Sequence, residues 1–410
     1  MKILINAYAC SPDMGSEPGM AWNWCLFLAK YCELHIITEG EFREKIEVVL
    51  PTLSYGHNMH FYYNPVSDKV RRMCWNQGDW RFYWYYRKWQ RKTYHIAAEI
   101  CRIHKVDILH QLNMIGFREP GYLWELSEKT GIPFVWGPVD AKDTFPMAYL
   151  KGASLKTRAF LMLKNTITRW QLKHGIRIRK AANSAKVVLS ASSNSVRSFK
   201  KYLHIDSLLM NETGCSMSEV MLRDIPKENK FDILWVGKTD YRKQLVLALR
   251  SIALLDYSDI RLHIVGGGDE VPFRRMAESL GIMNLCVWHG VVSHNEVQRL
   301  MQQANLFFFT SVAEGTPHVV LEAIANHLPV LCFDTCGQGD VVNEKVGIKI
   351  ALSNPEQSVE DFARQIGYLY GNREVLKQLS LNCRERQLEL TWERKVETMV
   401  KYYKQIVIGE

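Results

Sequence analysis

The sequence predicts an α/β protein built from two doubly wound parallel-sheet domains, and three observations carry that expectation. Short apolar runs alternate with longer helical patterns along the whole chain. The runs fall into two sets of five, separated by a stretch at about 202–230 that has neither period and contains Gly214 and Pro226. At 410 residues the chain also exceeds what one hydrophobic core usually serves.

In the first half the strands are KILINAY, LHIIT, VDILH, FVWGP and KVVLS. In the second they are FDILWVG, RLHIVG, LCVWHG, LFFFTS and LPVLCF. Aliphatic and β-branched residues run on without alternation, as strands buried on both faces require. The expected domains are 1–210 and 211–391, followed by a stretch with helical spacing through Trp392, Val396, Met399, Val400, Tyr403 and Ile406.

Hydrophobic residues make up 47% of the chain and charged residues 23%, the balance of a soluble globular protein, which excludes disorder. The opening MKILINAYAC turns polar at Ser11, Pro12 and Asp13, too early for a signal peptide, and eighteen apolar residues never run together. A cytoplasmic location is therefore expected. Ten cysteines are scattered without zinc or disulfide spacing, Cys332 and Cys336 coming closest, and read as reduced thiols. With no carboxylate or histidine cluster of metal spacing, no metal and no cofactor are expected.

The net charge of +9 is concentrated in two segments. Between Lys69 and Tyr94, cations such as Arg71, Arg87 and Arg91 alternate with aromatics such as Trp75, Trp80, Trp84 and Trp89. Between Lys151 and Lys180 there are nine Lys and Arg residues and no acid. This composition suits an anionic membrane surface, and equally a solvated basic face over buried aromatics. Nucleic acid is excluded as a partner because no RNA- or DNA-binding module accompanies the charge.

The strongest local feature is SVAEGTPHVVLEAIANHLPVL, where a strand ends, a Glu-Gly-Thr-Pro turn follows and a helix opens. Backbone N–H groups at such an opening, from Gly315 through Thr316 and His318 to Val319, suit a diphosphate. Glu314 precedes the turn, and Glu322 lies on the helix, either as a ribose ligand or merely as a favourable charge for the helix dipole. Upstream, WVGKTDYRKQ puts Gly237, Lys238 and Lys243 directly after another strand of the same expected sheet. Two cations and a helix opening then converge on one phosphate-sized site.

These motifs together resemble the retaining glycosyltransferases of the family 4 type (glycosyl transferases group 1), which have the GT-B fold of two Rossmann-like domains facing a cleft. The resemblance extends over nearly the whole chain. It implies that Lys238 and Lys243 neutralise the donor diphosphate, that Val292 after Gly290 lies against the base, that Glu322 binds the ribose, and that Glu314 meets the transferred sugar. Lys238 stands where the family usually has Arg.

In the first half, SPDMGSEPGMAWNW resembles the family's N-terminal glycine loop, which implies that Gly15 lies near the donor and Glu17 near the acceptor. HQLNMIGFREPGYLW and FVWGPVDAKD resemble a subgroup whose cleft is lined by His110, which would take part in catalysis, and by Asn113, Arg118 and Gly137 on the acceptor side. Val139 and Asp140 stand where many members carry a cleft histidine. The resemblance also implies that 392–410 packs back on the first domain.

The implied activity is metal-independent transfer of a hexose, with retention, from a UDP- or GDP-sugar to a saccharide or lipid-diphosphate-linked saccharide in polysaccharide or lipopolysaccharide synthesis. Two alternatives stay open: a sugar-nucleotide epimerase or phosphorylase of the same fold, and a non-catalytic membrane-associated partner of a glycan assembly complex.

Overall fold

A computed structural model describes residues 1–75, 81–141, 144–215 and 230–408. Trp80 and Pro226, named above, lie outside them. The chain divides into two units, one of 1–143, 167–213 and 392–410, the other of 144–166 and 214–391. One stretch departs from the expected division at 210: residues 144–166 go with the second unit. The cause is Tyr149, whose ring packs on Phe333 while its hydroxyl meets Ser358 Oγ at 2.8 Å and its carbonyl accepts from Gln244 Nε2 at 2.8 Å.

The first unit holds a seven-stranded parallel sheet of β1 (Lys2–Ala7), β2 (Glu33–Thr38), β3 (Met59–Tyr63), β4 (Ile108–Asn113), β5 (Phe134–Val139), β6 (Ala185–Ser190) and β7 (Leu208–Leu209), in the order 3-2-1-4-5-6-7. The second unit holds six parallel strands: β8 (Phe231–Val236), β9 (Ile260–Val265), β10 (Cys286–Gly290), β11 (Leu306–Phe309), β12 (Val330–Phe333) and β13 (Gly347–Ile350), in the order 10-9-8-11-12-13.

Each order reverses once, between β1 and β4 and between β8 and β11. At such a reversal neighbouring connections leave on opposite faces, opening a crevice beyond the carboxyl ends of the two strands. The sequence showed five strands per sheet, and the additional ones are β3, β7 and β13. β3 lies at a sheet edge and only Met59 of it is buried, β7 has two residues, and β13 is a four-residue edge strand, so none forms a continuous apolar run.

The cores are built from the expected runs. All four residues of β11, LFFF, are buried, and helix Ser16–Leu28 is buried around much of its circumference through Met20, Ala21, Trp22, Trp24 and Cys25. Helix Trp392–Ile408 belongs to the first unit. Its Trp392 stacks on Phe27 at 6.1 Å and meets Trp24 edge-on at 5.9 Å, and Val396, Met399 and Tyr403 are fully buried in the same core. Among the described residues no helix is long and apolar enough to cross a membrane.

Candidate functional site

In the second unit two of the predicted residues, Lys243 and Glu314, meet beyond the carboxyl ends of β8 and β11, beside the reversal. Lys243 Nζ lies 2.7 Å from Glu314 Oε1, and both side chains are about 15% exposed (16% and 15%). Ser311 Oγ donates to the same carboxylate oxygen at 2.6 Å, and the Lys243 ammonium sits 4.9 Å from the centre of the Phe309 ring. The two loops are also laced through their backbones. Thr310 Oγ1 donates to the Lys243 carbonyl at 2.7 Å, and Val312 N and Ser311 Oγ donate to the Arg242 carbonyl at 2.9 and 3.1 Å. The cation and the carboxylate are thus held by rigid strand ends.

Lys238 is exposed at the end of β8, and no ion pair to it exists among the described residues. Gly237 precedes it on crowded backbone: a Cβ there would meet the Lys243 side chain and Trp235, each at 3.2 Å.

The turn from Gly315 leads into helix His318–Ala325, with Pro317 at its N-cap. Thr316 is buried; His318 and Val319 are half-buried, and burial lowers the His318 pKa. Val292 and Val319 both pack on the core that contains Leu300, Val320 and Leu321. Glu322 lies beside helix His294–Gln303, with Gln298 Nε2 at 3.4 Å from its carboxylate. Burial raises its pKa, opposed by the nearby His294 and by the Gln298 bond.

Several residues of this site were not singled out in the sequence. Ser311 orients Glu314, and its signal was the polar Thr-Ser pair closing a run of phenylalanines. The segment Cys336–Gln338 braces the turn: Gly337 N donates to the Gly315 carbonyl at 2.9 Å, Glu314 N points to Cys336 Sγ at 3.5 Å, and Gln338 Nε2 donates to the Ser311 carbonyl at 3.0 Å. The glycines of VGGGDE have a steric reason. A Cβ on Gly266 would lie 1.8 Å from the Gly237 carbonyl oxygen and one on Gly268 would lie 2.0 Å from Thr239 Oγ1, and both glycines have positive φ.

Gly337→Ala is therefore expected to deform the turn, because its Cβ would fall 2.4 Å from the Gly315 oxygen and 2.6 Å from Thr316 Cα, both backbone atoms. A loss of about 1–3 kcal/mol in thermal unfolding, with weakened nucleotide binding, is the expected result.

In the first unit, Gly15, Glu17 and Asn113 lie at the carboxyl ends of β1 and β4. Glu17 Oε1 accepts from Ile115 N at 2.8 Å, and Asn113 Nδ2 donates to the Ala9 carbonyl at 2.8 Å, which joins the two strand ends. Gly15 caps helix Ser16–Leu28 and has open space where a side chain would stand. Gly15 and Glu17 border a cavity of about 130 Å³ whose wall also includes Tyr8, Phe42, Trp75 and Glu41.

Three residues expected in this region lie elsewhere. His110, expected to act in catalysis, is completely buried, and both its nitrogens are occupied: Nε2 donates to the Gly137 carbonyl at 2.6 Å and Nδ1 accepts from the Tyr403 hydroxyl at 2.5 Å. A carbonyl can only accept, so the tautomer is Nε2–H. Burial lowers the His110 pKa to about 4, which keeps the ring neutral. Its place is a core tie between β4, β5 and helix Trp392–Ile408. Gly137 is buried too, its absent Cβ leaving room for the Leu189 carbonyl, which would be 2.3 Å away. Arg118 turns toward helix Leu155–His174 and donates to Gln171 Oε1 at 2.8 Å and Thr168 Oγ1 at 2.6 Å. A histidine at a strand end looks the same in sequence whether it faces a ligand or the core.

Among the described residues, no group of three or more His, Cys, Asp and Glu side chains is placed to hold a metal ion.

The family described as "Glycosyl transferases group 1" matches residues 219–386, which carry all the second-unit site residues. Those residues form a glycosyl transferases group 1 domain. The group 1 domain has relatives in polysaccharide and lipopolysaccharide synthesis. The chain is 25% identical over 181 residues to the putative glycosyltransferase EpsD of Bacillus subtilis, spanning 43% of this chain and 46% of EpsD. It is 29% identical over 143 residues to the lipopolysaccharide glucosyltransferase WaaG of Escherichia coli, spanning 34% of this chain and 38% of WaaG. These matches thus span less than half the length of either relative. Among solved structures, Anabaena Alr3699/HepE in complex with UDP superposes with a TM-score of 0.64 at 13% identity, over 99% of this chain and all of the other. The shared fold is GT-B, with the group 1 domain as its second Rossmann-like unit.

Proposed function

We propose that the protein is a retaining, metal-independent hexosyltransferase that moves a sugar from a UDP- or GDP-sugar to a saccharide or lipid-diphosphate-linked saccharide, in cell-surface polysaccharide or lipopolysaccharide synthesis at the cytoplasmic face of a membrane. The observation that carries this reading is the Lys243–Glu314 ion pair at the β8/β11 reversal of the group 1 domain.

A diphosphate arriving at the turn from Gly315 to Val319 competes with Glu314 for the Lys243 ammonium. The Glu314 carboxylate, released in part and still oriented by Ser311, then accepts hydrogen bonds from the hydroxyls of the donor sugar. Lys238 supplies the second cation and Glu322 the ribose contact. Negative charge that develops on the departing diphosphate is met by two ammonium groups and by turn amides, so charge stabilisation and positioning account for catalysis. The acceptor hydroxyl attacks on the face from which the diphosphate leaves and passes its proton to the leaving phosphate. The cavity beside Gly15 and Glu17, with its aromatic walls and the Glu41 carboxylate, has the surface chemistry of a saccharide site and is the acceptor candidate.

The test is thermal stabilisation of the protein by UDP, GDP, ADP and CMP, with Glu322→Ala and Lys243→Ala alongside. A shift with UDP or GDP that both substitutions abolish supports the reading, since a ligand that binds only the folded state stabilises it by mass action. A flat response to all four nucleotides, or a shift that survives both substitutions, overturns it.

A further inference from the structure

Helix His294–Gln303 carries His294, Gln298 and Gln302 at four-residue spacing, which puts the three on one face. Glu322 and Asn326 are likewise four residues apart, on helix His318–Ala325 and at its C-cap. Side-chain amides join the two helices. Gln302 Nε2 donates to Asn326 Oδ1 at 3.2 Å, Asn326 Nδ2 donates to Gln298 Oε1 at 2.6 Å, and Gln298 Nε2 donates to Glu322 Oε2 at 3.4 Å. Asn326 Nδ2 also donates to the Glu322 carbonyl at 2.8 Å, which fixes the orientation of this amide, itself only 2% exposed.

Every bond in the series runs the same way. An amide whose oxygen is taken by one neighbour offers its N–H to the next, so the series delivers a donor to the Glu322 carboxylate and is polarised along its length. In the opposite sense it would set the Gln298 oxygen against that carboxylate. Burial disfavours the charged form of Glu322, and the His294 ring and the Gln298 bond oppose it. A tie between two helices needs no such direction, because matched apolar side chains close the same gap at little cost in stability.

We propose that Gln298, oriented by Asn326 and Gln302, is a positioning residue that holds the Glu322 carboxylate ready for the vicinal hydroxyls of a nucleotide's ribose. The inference rests on the transferase reading, in which Glu322 makes the ribose contact. A ribose diol donates two hydrogens, and a carboxylate receives both well only when it is charged and its rotation is set. The Gln298 bond completes part of that ordering before the nucleotide arrives, which lowers the cost of binding.

The experiment is isothermal titration of the full chain with UDP, GDP and their 2′-deoxy forms, for the parent, Gln298→Glu and Gln298→Leu. Gln298→Glu replaces the donor that faces Glu322 by an oxygen of the same size, and Gln298→Leu removes both polar ends. The parent is expected to bind UDP or GDP at least about tenfold more tightly than the 2′-deoxy form, as a hydrogen bond to a charged group contributes. In both variants that ratio should fall to about threefold or less, with the affinity for the 2′-deoxy nucleotide unchanged. Thermal unfolding like that of the parent identifies a folded variant, and either folded variant reads the ratio. Equal weakening of the two nucleotide forms overturns the inference, since a merely structural tie acts on both alike. An undiminished ratio in a folded variant also overturns it, as does a parent that binds UDP or GDP without preference for the ribose form; the nucleotide reading survives all three results. A parent that binds neither nucleotide overturns both.

Discussion

Lys243→Ala is expected to lower kcat/KM for sugar transfer by about 10²- to 10³-fold, the range typical of removing one preorganised group that meets developing charge. Two losses combine in this variant. The diphosphate loses its better-positioned cation, since the Lys243 ammonium is pinned between Glu314 and the Phe309 ring whereas Lys238 is exposed. Glu314, 15% exposed, also loses the cation beside it while keeping the Ser311 bond.

Glu314→Gln separates these effects. It keeps a polar group beside Ser311 and frees Lys243 for the diphosphate, so nucleoside diphosphate binding should hold or tighten while turnover falls. Steady-state kinetics with isothermal titration of the nucleotide measures both. Equal turnover in Lys243→Ala and the parent would remove the ion pair from the mechanism.

The second large effect is on stability. His110→Phe keeps much of the ring volume but strands the Tyr403 hydroxyl and the Gly137 carbonyl in the core. With each unsatisfied buried group costing about 1–3 kcal/mol, a destabilisation of about 2–5 kcal/mol is expected. Nucleotide binding by the group 1 domain, measured below the unfolding transition, should be unchanged. A catalytic histidine would show the opposite pattern, with intact stability and lost turnover.

The same residue predicts a pH dependence. Its folded pKa, about 4, lies below the ordinary 6.5 because burial disfavours the charged ring. The stability linked to the neutral ring is full above about 6.5 and is lost as pH falls toward about 4, by about 1.4 kcal/mol per pH unit. His35 behaves alike, lowered to about 4 by burial and then by the neighbouring His104 and His60. His110→Phe should therefore reduce the acid sensitivity without abolishing it, as chemical denaturation at pH 7.5 and pH 5 would reveal.

How much of this was legible in the sequence depended on whether a residue's role is local. The buried parallel strands were readable because an uninterrupted apolar run has few other uses, whereas β3 and β13, at sheet edges with partly exposed residues, left no such trace. The meeting of Lys243 and Glu314 was readable because each lies a few residues beyond one of two strands, β8 and β11, that parallel-sheet topology makes neighbours. His110 was not readable, because its partners are 27 and 293 residues away and nothing local reveals whether a strand-end ring faces the core. The assignment of 144–166 to the second unit likewise rests on Tyr149, whose contacts lie 95 and 209 residues downstream.

The tie between Tyr403 and His110 has a consequence for biosynthesis. The seven strands of the first unit leave the ribosome before residues 214–391, the larger part of the second unit, but helix Trp392–Ile408 emerges only after those residues have been made. At typical translation rates that interval is roughly ten to forty seconds. Throughout it, Trp24 and Phe27 lack their cover and the His110 imidazole lacks its hydroxyl partner. The nascent first unit thus passes through a long-lived half-finished state with a sticky flank, a natural target for chaperones that hold apolar surfaces until the closing helix arrives.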